Sequence, residues 1–255
     1  MNSLVDGALV IEVNMKVVSP PPFIPENPSA CKIIQGLFLN DESADIVFEV
    51  NGAEQPKDNA RKVAKTSAVT FSAHRLIVAN CSSIFAELGE SNDDDRTTPI
   101  QITGVSPDVF RLLLSYMYGM KISNDDKKSH AKELVDAADR FGVTSLKLEA
   151  EACFVEGTIF AVDNVMELLL YAESKNCALL KEAVMDYFVE NHADVIEKLT
   201  TNALIPGSLI KDVLETVFRG EKKDRISELR KKAHEKGLDV DGSREMLIVA
   251  IRASL

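Results

Sequence analysis

The chain has 255 residues, of which 27% are charged and 45% hydrophobic, and its net charge is −11. These proportions belong to a globular protein rather than a disordered tail, and the length allows one good core or two to three small ones. The negative charge argues against nucleic-acid binding by the body as a whole. No run of eighteen apolar residues offers a membrane span, and the N-terminus lacks the basic and apolar blocks of a secretory signal.

Residues 8–18, ALVIEVNMKVV, alternate as one strand, and the following SPPPFIPENPSA cannot continue a sheet. CKIIQGLF, residues 31–38, places Ile33, Ile34, Leu37 and Phe38 on one side of a short helix. Such an apolar stripe needs cover, either from a partner or from its own domain. DIVFEV, residues 45–50, carries Ile46, Phe48 and Val50 on one face at period two and predicts a half-buried strand. VTFSAHRLIVAN and CSSIFAEL read as two short apolar helices, followed by an acidic turn, SNDDDRTT, and a second strand, PIQIT. The polar stretch between Asn51 and Ala68 reads as an exposed insertion between two paired strands, at little cost in stability.

The clearest helix start is at Ser106, which can cap, with Pro107 at the first helical position and Asp108 facing the positive end of the dipole. Val109, Phe110, Leu113, Leu114 and Met117 supply its buried face, and Gly119 ends it. From there the pattern is helical. HAKELVDAADRF stops at Gly142, TSLKLEAEACF begins on a Thr or Ser cap, and Asp163 is placed to cap VMELLLYAESK. CALLKEAVMDYFVENH follows so closely that the last two helices must pack antiparallel. DVIEKL and SLIKDVLETVF continue the helical run. The last unit reads helix, stop at Gly237, extended LDVDG, then a helix capped by Ser243. Residues 221–255 hold nine Lys and Arg against seven Asp and Glu, a balance of +2 that leaves −13 for residues 1–220. The tail therefore reads as a separate electrostatic unit.

Catalytic constellations are not legible. His74, His130, His192 and His234 lie far apart, none beside a Cys, Asp or Glu at metal-ligand spacing, and there is no phosphate-cradling glycine loop, GxSxG or HExxH. The reading is of a non-enzymatic binding protein without metal or cofactor. Cys31, Cys81, Cys153 and Cys177 fall within apolar helical patterns and read as reduced core residues of a cytoplasmic or nuclear protein.

An Asp at the strand start (Asp45), F-x-A-H-R over Phe71–Arg75 and S-x-x-F-x-x-L over Ser82–Leu88 together resemble the BTB/POZ domain, a protein-interaction module. This likeness runs over about residues 32–155 and implies an α+β fold, a small sheet with helices. SLVDG with the first strand resembles the last strand of a MATH domain, the substrate-reading sandwich of speckle-type POZ proteins, so the rest of that sandwich would be missing here. The helices after the BTB-like part resemble the BACK region of ubiquitin-ligase adaptors. The pattern L-+-x-x-x-x-x-x-G-L followed by G-x-+-x-x-L-I resembles the SAP motif, a helix-extended-helix element often found binding DNA. The implied organisation is a MATH-like strand and linker (1–30), BTB/POZ (31–155), BACK-like helices (156–220) and a SAP-like hairpin (221–255).

These resemblances imply partners and sites. The stripe of Ile33, Ile34, Leu37 and Phe38 would form a homodimer seam, with larger assemblies open through the BACK helices. Asp45 and Arg75 would meet in a charged pocket near that seam, either as a ligand site or as a structural ion pair. Ser82, Phe85, Leu88 and the loop aspartates Asp93, Asp94 and Asp95 would face a cullin scaffold, although the loop has no apolar residue two before an acid. Lys231, Lys232 and Arg244 would make weak DNA contacts, opposed by Asp239 and Asp241. The resemblance implies a dimeric adaptor that joins a cullin-RING ubiquitin ligase to an unknown substrate protein, or else a nuclear scaffold with a nucleic-acid or protein-docking tail.

Overall fold

The structure, a computed structural model, describes residues 4–5, 8–9, 32–51, 68–90, 98–191 and 225–254. Most of the expected N-terminal strand, the insertion after Asn51, the acidic turn and the helical run beyond residue 191 lie outside the described residues. At the N-terminus β1 (Leu4–Val5) pairs antiparallel with β2 (Ala8–Leu9). Helix α1 (Lys32–Gly36) precedes a three-stranded sheet of β3 (Ile46–Val50), β4 (Val69–Ala73) and β5 (Ile100–Ile102). Its order is β4-β3-β5, antiparallel on one side of β3 and parallel on the other.

The period-two pattern of β3 holds, since Ile46, Phe48 and Val50 are all buried. VTFSAHRLIVAN, read as one helix, is instead strand β4 followed by helix α2 (Arg75–Cys81). The reason is pairing: Phe71 and Ala73 alternate inward opposite Phe48 and Ile46, and the β-branched Val69 and Thr70 suit a pleated edge. Helix α3 (Ser83–Glu90) comes next in the chain, before β5.

Helix α4 (Pro107–Met117) starts as its sequence dictates, with the Ser106 side chain accepting the Val109 amide. Phe110 enters a cluster with Phe48, Phe71, Phe85 and Phe141, their rings meeting edge to face except for Phe85 and Phe141, which stack at 4.8 Å. Buried aromatic rings of this kind each remove a large apolar area from water. Helices α5 (Asn124–Ser129), α6 (Ala131–Arg140), α7 (Thr144–Gly157), α8 (Val165–Ser174) and α9 (Ala178–Glu190) follow. Thr144 is already the first helical residue of α7, so Val143 takes the cap position, and Asn164 rather than Asp163 precedes α8. The α8–α9 pair packs through Leu169, Ala172, Leu180 and Val184, all buried. Of the described cysteines only Cys177 is buried; Cys81 is exposed and Cys153 intermediate, so the expected core role holds for one.

The C-terminal hairpin, α10 (Ile226–Glu235) and α11 (Arg244–Ala253), turns at Gly237, whose φ of 67° a side chain would resist. It does not stand apart. Ile226, Leu229, Ala233, Val240 and Leu247 share an apolar cluster with Leu148 and Ala152 of α7 and Ala178 and Leu179 of α9. Among the described residues no helix is long and apolar enough to cross a membrane.

Replacing Phe110 with Ala removes the ring at the centre of the aromatic cluster and is expected to lower stability by about 3–5 kcal/mol. Ser106→Ala removes one cap and should cost about 1 kcal/mol. Urea unfolding of both variants checks the ranking.

Candidate interaction surface

Six of the described helices, α2, α6, α7, α8, α9 and α10, follow residues whose side chains make no capping hydrogen bond, among them His74 before α2, Cys177 before α9 and Arg225 before α10. Orphan amides at a helix start need acceptors, and the dipole favours a negative one. The starts of α2, α9 and α10 each receive a carboxylate from a distant segment. Asp45 accepts the Arg75 amide at 2.7 Å, Glu151 accepts the Leu179 and Leu180 amides at 2.8 and 3.1 Å, and Glu182 accepts the Ile226 amide at 3.0 Å.

Asp45 and Arg75 are therefore brought together through the main chain of Arg75. The Arg75 guanidinium reaches the Gly89 carbonyl at 2.7 Å, its stem lying against Gly89, where a Cβ would sit 3.4 Å from Cγ. Asp45 is exposed in the single chain, so the penalty for a lone buried charge does not arise there.

Next to this cap lies a polar link that positions α1. The Tyr118 hydroxyl accepts the His74 backbone amide at 2.8 Å and is 2.8 Å from Nδ1 of the same ring, while Nε2 is 2.9 Å from Ser43 Oγ. All three groups are satisfied when the phenol donates to Nδ1 and Nε2–H donates to Ser43. Burial, reinforced by the neighbouring Asp45 charge, pushes the Tyr118 phenol up to about 12, so it remains protonated and able to donate. The same ring meets Phe38 edge to face at 5.5 Å, and Gln35 donates to the Gly119 carbonyl at 2.8 Å. Ile34, Leu37 and Phe38 are half-buried against their own domain, each keeping part of its surface outward. The side chain of Ile33 lies outside the described residues.

The second candidate face corrects the sequence reading. Ser82 is buried, donates to the Phe141 carbonyl and accepts the Phe85 amide at 3.3 Å, and Phe85 is fully buried in the aromatic cluster. Neither side chain can face a partner, because the hydrophobic core takes Phe85 and the cap takes Ser82. Leu88 is half-buried, and Asp93, Asp94 and Asp95 lie outside the described residues. What α3 presents outward is Ser83, Ile84 and Glu87. Their i, i+3 spacing, opposite the inward Phe85 and Gly89, was the signal that could have found them. Leu76 of α2, at 75% exposure, was also missed.

In the hairpin Lys231 and Lys232 are exposed, while Arg244, 17% exposed, lies 3.5 Å from Glu182. Arg230 is 1% exposed and pairs at 2.8 Å with Glu151, itself fully buried. Asp241, read as an opponent of DNA, pairs with Lys147 at 2.8 Å, and Lys147 also holds Asp139 at 3.0 Å. Burial works against the Lys147 ammonium, but its bonds to Asp241 and Asp139 outweigh this and raise its pKa. Arg225, Arg230, Asp241 and Arg244 of the hairpin thus pair with charges of α7 and α9, so it is not a separate electrostatic unit.

Comparison with known proteins agrees with this geometry. The family model of the BTB/POZ domain matches residues 35–158. BTB/POZ and MATH domain-containing protein 4 of Arabidopsis thaliana is 28% identical over 171 residues, covering 61% of this chain and 32% of that protein. TD and POZ domain-containing protein 1-like of Mus musculus is 30% identical over 128 residues, covering 50% of this chain and 34% of that protein. The chain spans about a third of the length of these curated relatives. The sheet with its flanking helices, the aromatic cluster and the Asp45-capped α2 accordingly belong to a known module: residues 35–158 are a BTB/POZ domain, a family of protein-interaction modules that is generally non-enzymatic.

Proposed function

We propose that the chain is a dimeric, non-catalytic adaptor that joins a cullin-RING ubiquitin ligase to a substrate protein. The observation that carries the dimer is the half-covered stripe of Ile34, Leu37 and Phe38, anchored to its own domain through Tyr118 and Gly119 with its outer side left for a second subunit. Leu76 is a further exposed apolar side chain, on the helix whose start the Tyr118–His74 link sets in place. A soluble monomer rarely leaves such residues uncovered together. The names of the relatives, which join POZ with MATH or TD domains, support the adaptor reading. On that reading the BACK-like helices lie at 156–220, the SAP-like hairpin at 221–255, and the chain works in the cytoplasm or nucleus.

Sedimentation in dilute solution is expected to give twice the 28.0 kDa chain mass. Leu76→Asp, a change at an exposed position, should weaken self-association about tenfold or more while leaving the circular dichroism unchanged. A monomeric wild type would overturn the seam. Tyr118→Phe removes the hydroxyl that accepts the His74 amide and donates to its Nδ1, and should cost about 1–3 kcal/mol of stability, read by urea unfolding.

The cullin-facing surface is assigned to Ile84, Glu87 and Leu88 of α3 together with the acidic loop. With only two apolar residues, Ile84 and Leu88, and several acids, charge carries much of the encounter. Binding to a cullin scaffold is expected to weaken steeply with salt and to be lost in Ile84→Asp. Tight, salt-insensitive binding would place the anchor elsewhere.

For the tail, a protein-docking or structural role is favoured over DNA binding by the engagement of Arg244 with Glu182. The full chain should not retard duplex DNA at about 0.15 M salt, because the three exposed lysines, Lys231, Lys232 and Lys236, would neutralise only about three phosphates. Retardation with a slope steeper than about −3 in log affinity against log salt would reinstate the chromatin reading.

A further inference from the structure

Arg230 and Glu151 form the most deeply buried ion pair among the described residues, 1% and 0% exposed. Burying two charges is expensive, and an apolar pair of the same volume is often as stable or more so, whereas removing one partner alone is strongly destabilising. Such a pair selects one arrangement rather than maximising stability. Glu151 is shared: one carboxylate oxygen takes Arg230 Nη2 at 2.8 Å, and the other caps α9 through Leu179 and Leu180. Around it, Leu148, Ala152 and Leu179 on one side meet Ile226, Leu229 and Leu247 on the other. At the rim, Glu182 accepts the Ile226 amide and lies 3.4 Å from Arg225 and 3.5 Å from Arg244, and Asp186 takes Arg225 at 2.7 Å. Arg230 Nε is buried without a hydrogen-bond partner, so the seat is specific but incompletely satisfied.

We propose that the groove between α7 and the start of α9 is a receptor for an arginine-bearing amphipathic helix, and that residues 225–254 of the same chain occupy it as a releasable latch. Glu151 reads the arginine. Because the same carboxylate caps α9, docking of the hairpin and ordering of the α9 start are one event. The incomplete satisfaction of Nε makes the seated state less stable than a fully paired one, which suits an occupant that can be exchanged for a competing helix of the same chemistry. The inference stands apart from the dimer and cullin readings, since it uses none of their residues.

The test is made on the full chain with a protease recognition sequence inserted after Gly220. After cleavage, the hairpin is expected to co-elute with the rest even at about 0.5 M salt, where surface pairs are screened and a buried one is not. A synthetic peptide of residues 225–254 in excess should displace the cleaved hairpin. Arg230→Met should reduce retention about a hundredfold by stranding the Glu151 charge. Adding Glu151→Gln should restore it to within about tenfold, since the amide oxygen still caps α9 and no charge is left unpaired. Lys231→Met, on the exposed face, should change nothing. If Arg230→Met prevents folding, Arg230→Lys takes its place; it keeps the charge but loses the planar fork, and about tenfold weaker retention is expected. Separate elution of the wild-type hairpin, failure of the peptide to displace it, equal retention of Arg230→Met and wild type, or equal loss in Lys231→Met would overturn the proposal.

Discussion

A carboxylate supplied from a distant segment to the bare start of a helix is the contact on which most of this structure turns. Asp45 does this for α2, Glu151 for α9 and Glu182 for α10. In each case a residue that cannot cap, His74, Cys177 or Arg225, occupies the boundary, and the negative group faces the positive end of the dipole. The arrangement ties strand to helix at the BTB/POZ sheet, α7 to α9 in the helical region, and α9 to the hairpin. Local sequence then no longer decides where a helix starts on its own; the tertiary contact does.

The apolar framework and these polar ties divide the work. Five phenylalanines fix the sheet against α3, α4 and Phe141 without directional demands, since edge-to-face and stacked contacts tolerate small shifts. Hydrogen bonds do the aiming. Tyr118 holds His74 at the start of α2 and packs on Phe38, so the orientation of α1 and that of α2 are set by one side chain. An interaction module needs this combination, because a seam presented by two short helices is useful to a partner only if both are held at a fixed angle.

The hairpin illustrates how charge changes meaning on folding. Counted along the chain it carries an excess of positive charge; in space Arg225, Arg230 and Arg244 face Glu182, Glu151 and Asp186. An acidic body and a basic tail attract each other within one molecule as readily as either attracts a partner, and the buried contact is the less screened of the two.

The sequence by itself determined the elements whose signals are local. Ser106 and Ser243 accept amides three residues on, and Gly237 sits at positive φ where a helix must end. The alternation of Ile46, Phe48 and Val50 was legible because strand and burial share one period. The F-x-A-H-R and S-x-x-F patterns were enough to point to the BTB/POZ domain, yet the side chains they name serve the interior, Phe85 in the core and Ser82 as a cap. Which face of α3 looks outward was set by the sheet it packs on. That Val69–Ala73 is a strand was decided by its partner β3, since a short apolar run carries no period of its own choosing. The remote caps and the Glu151–Arg230 pair were decided by tertiary structure alone: donor and acceptor are 28 to 79 residues apart, and no spacing rule connects groups that only packing brings together.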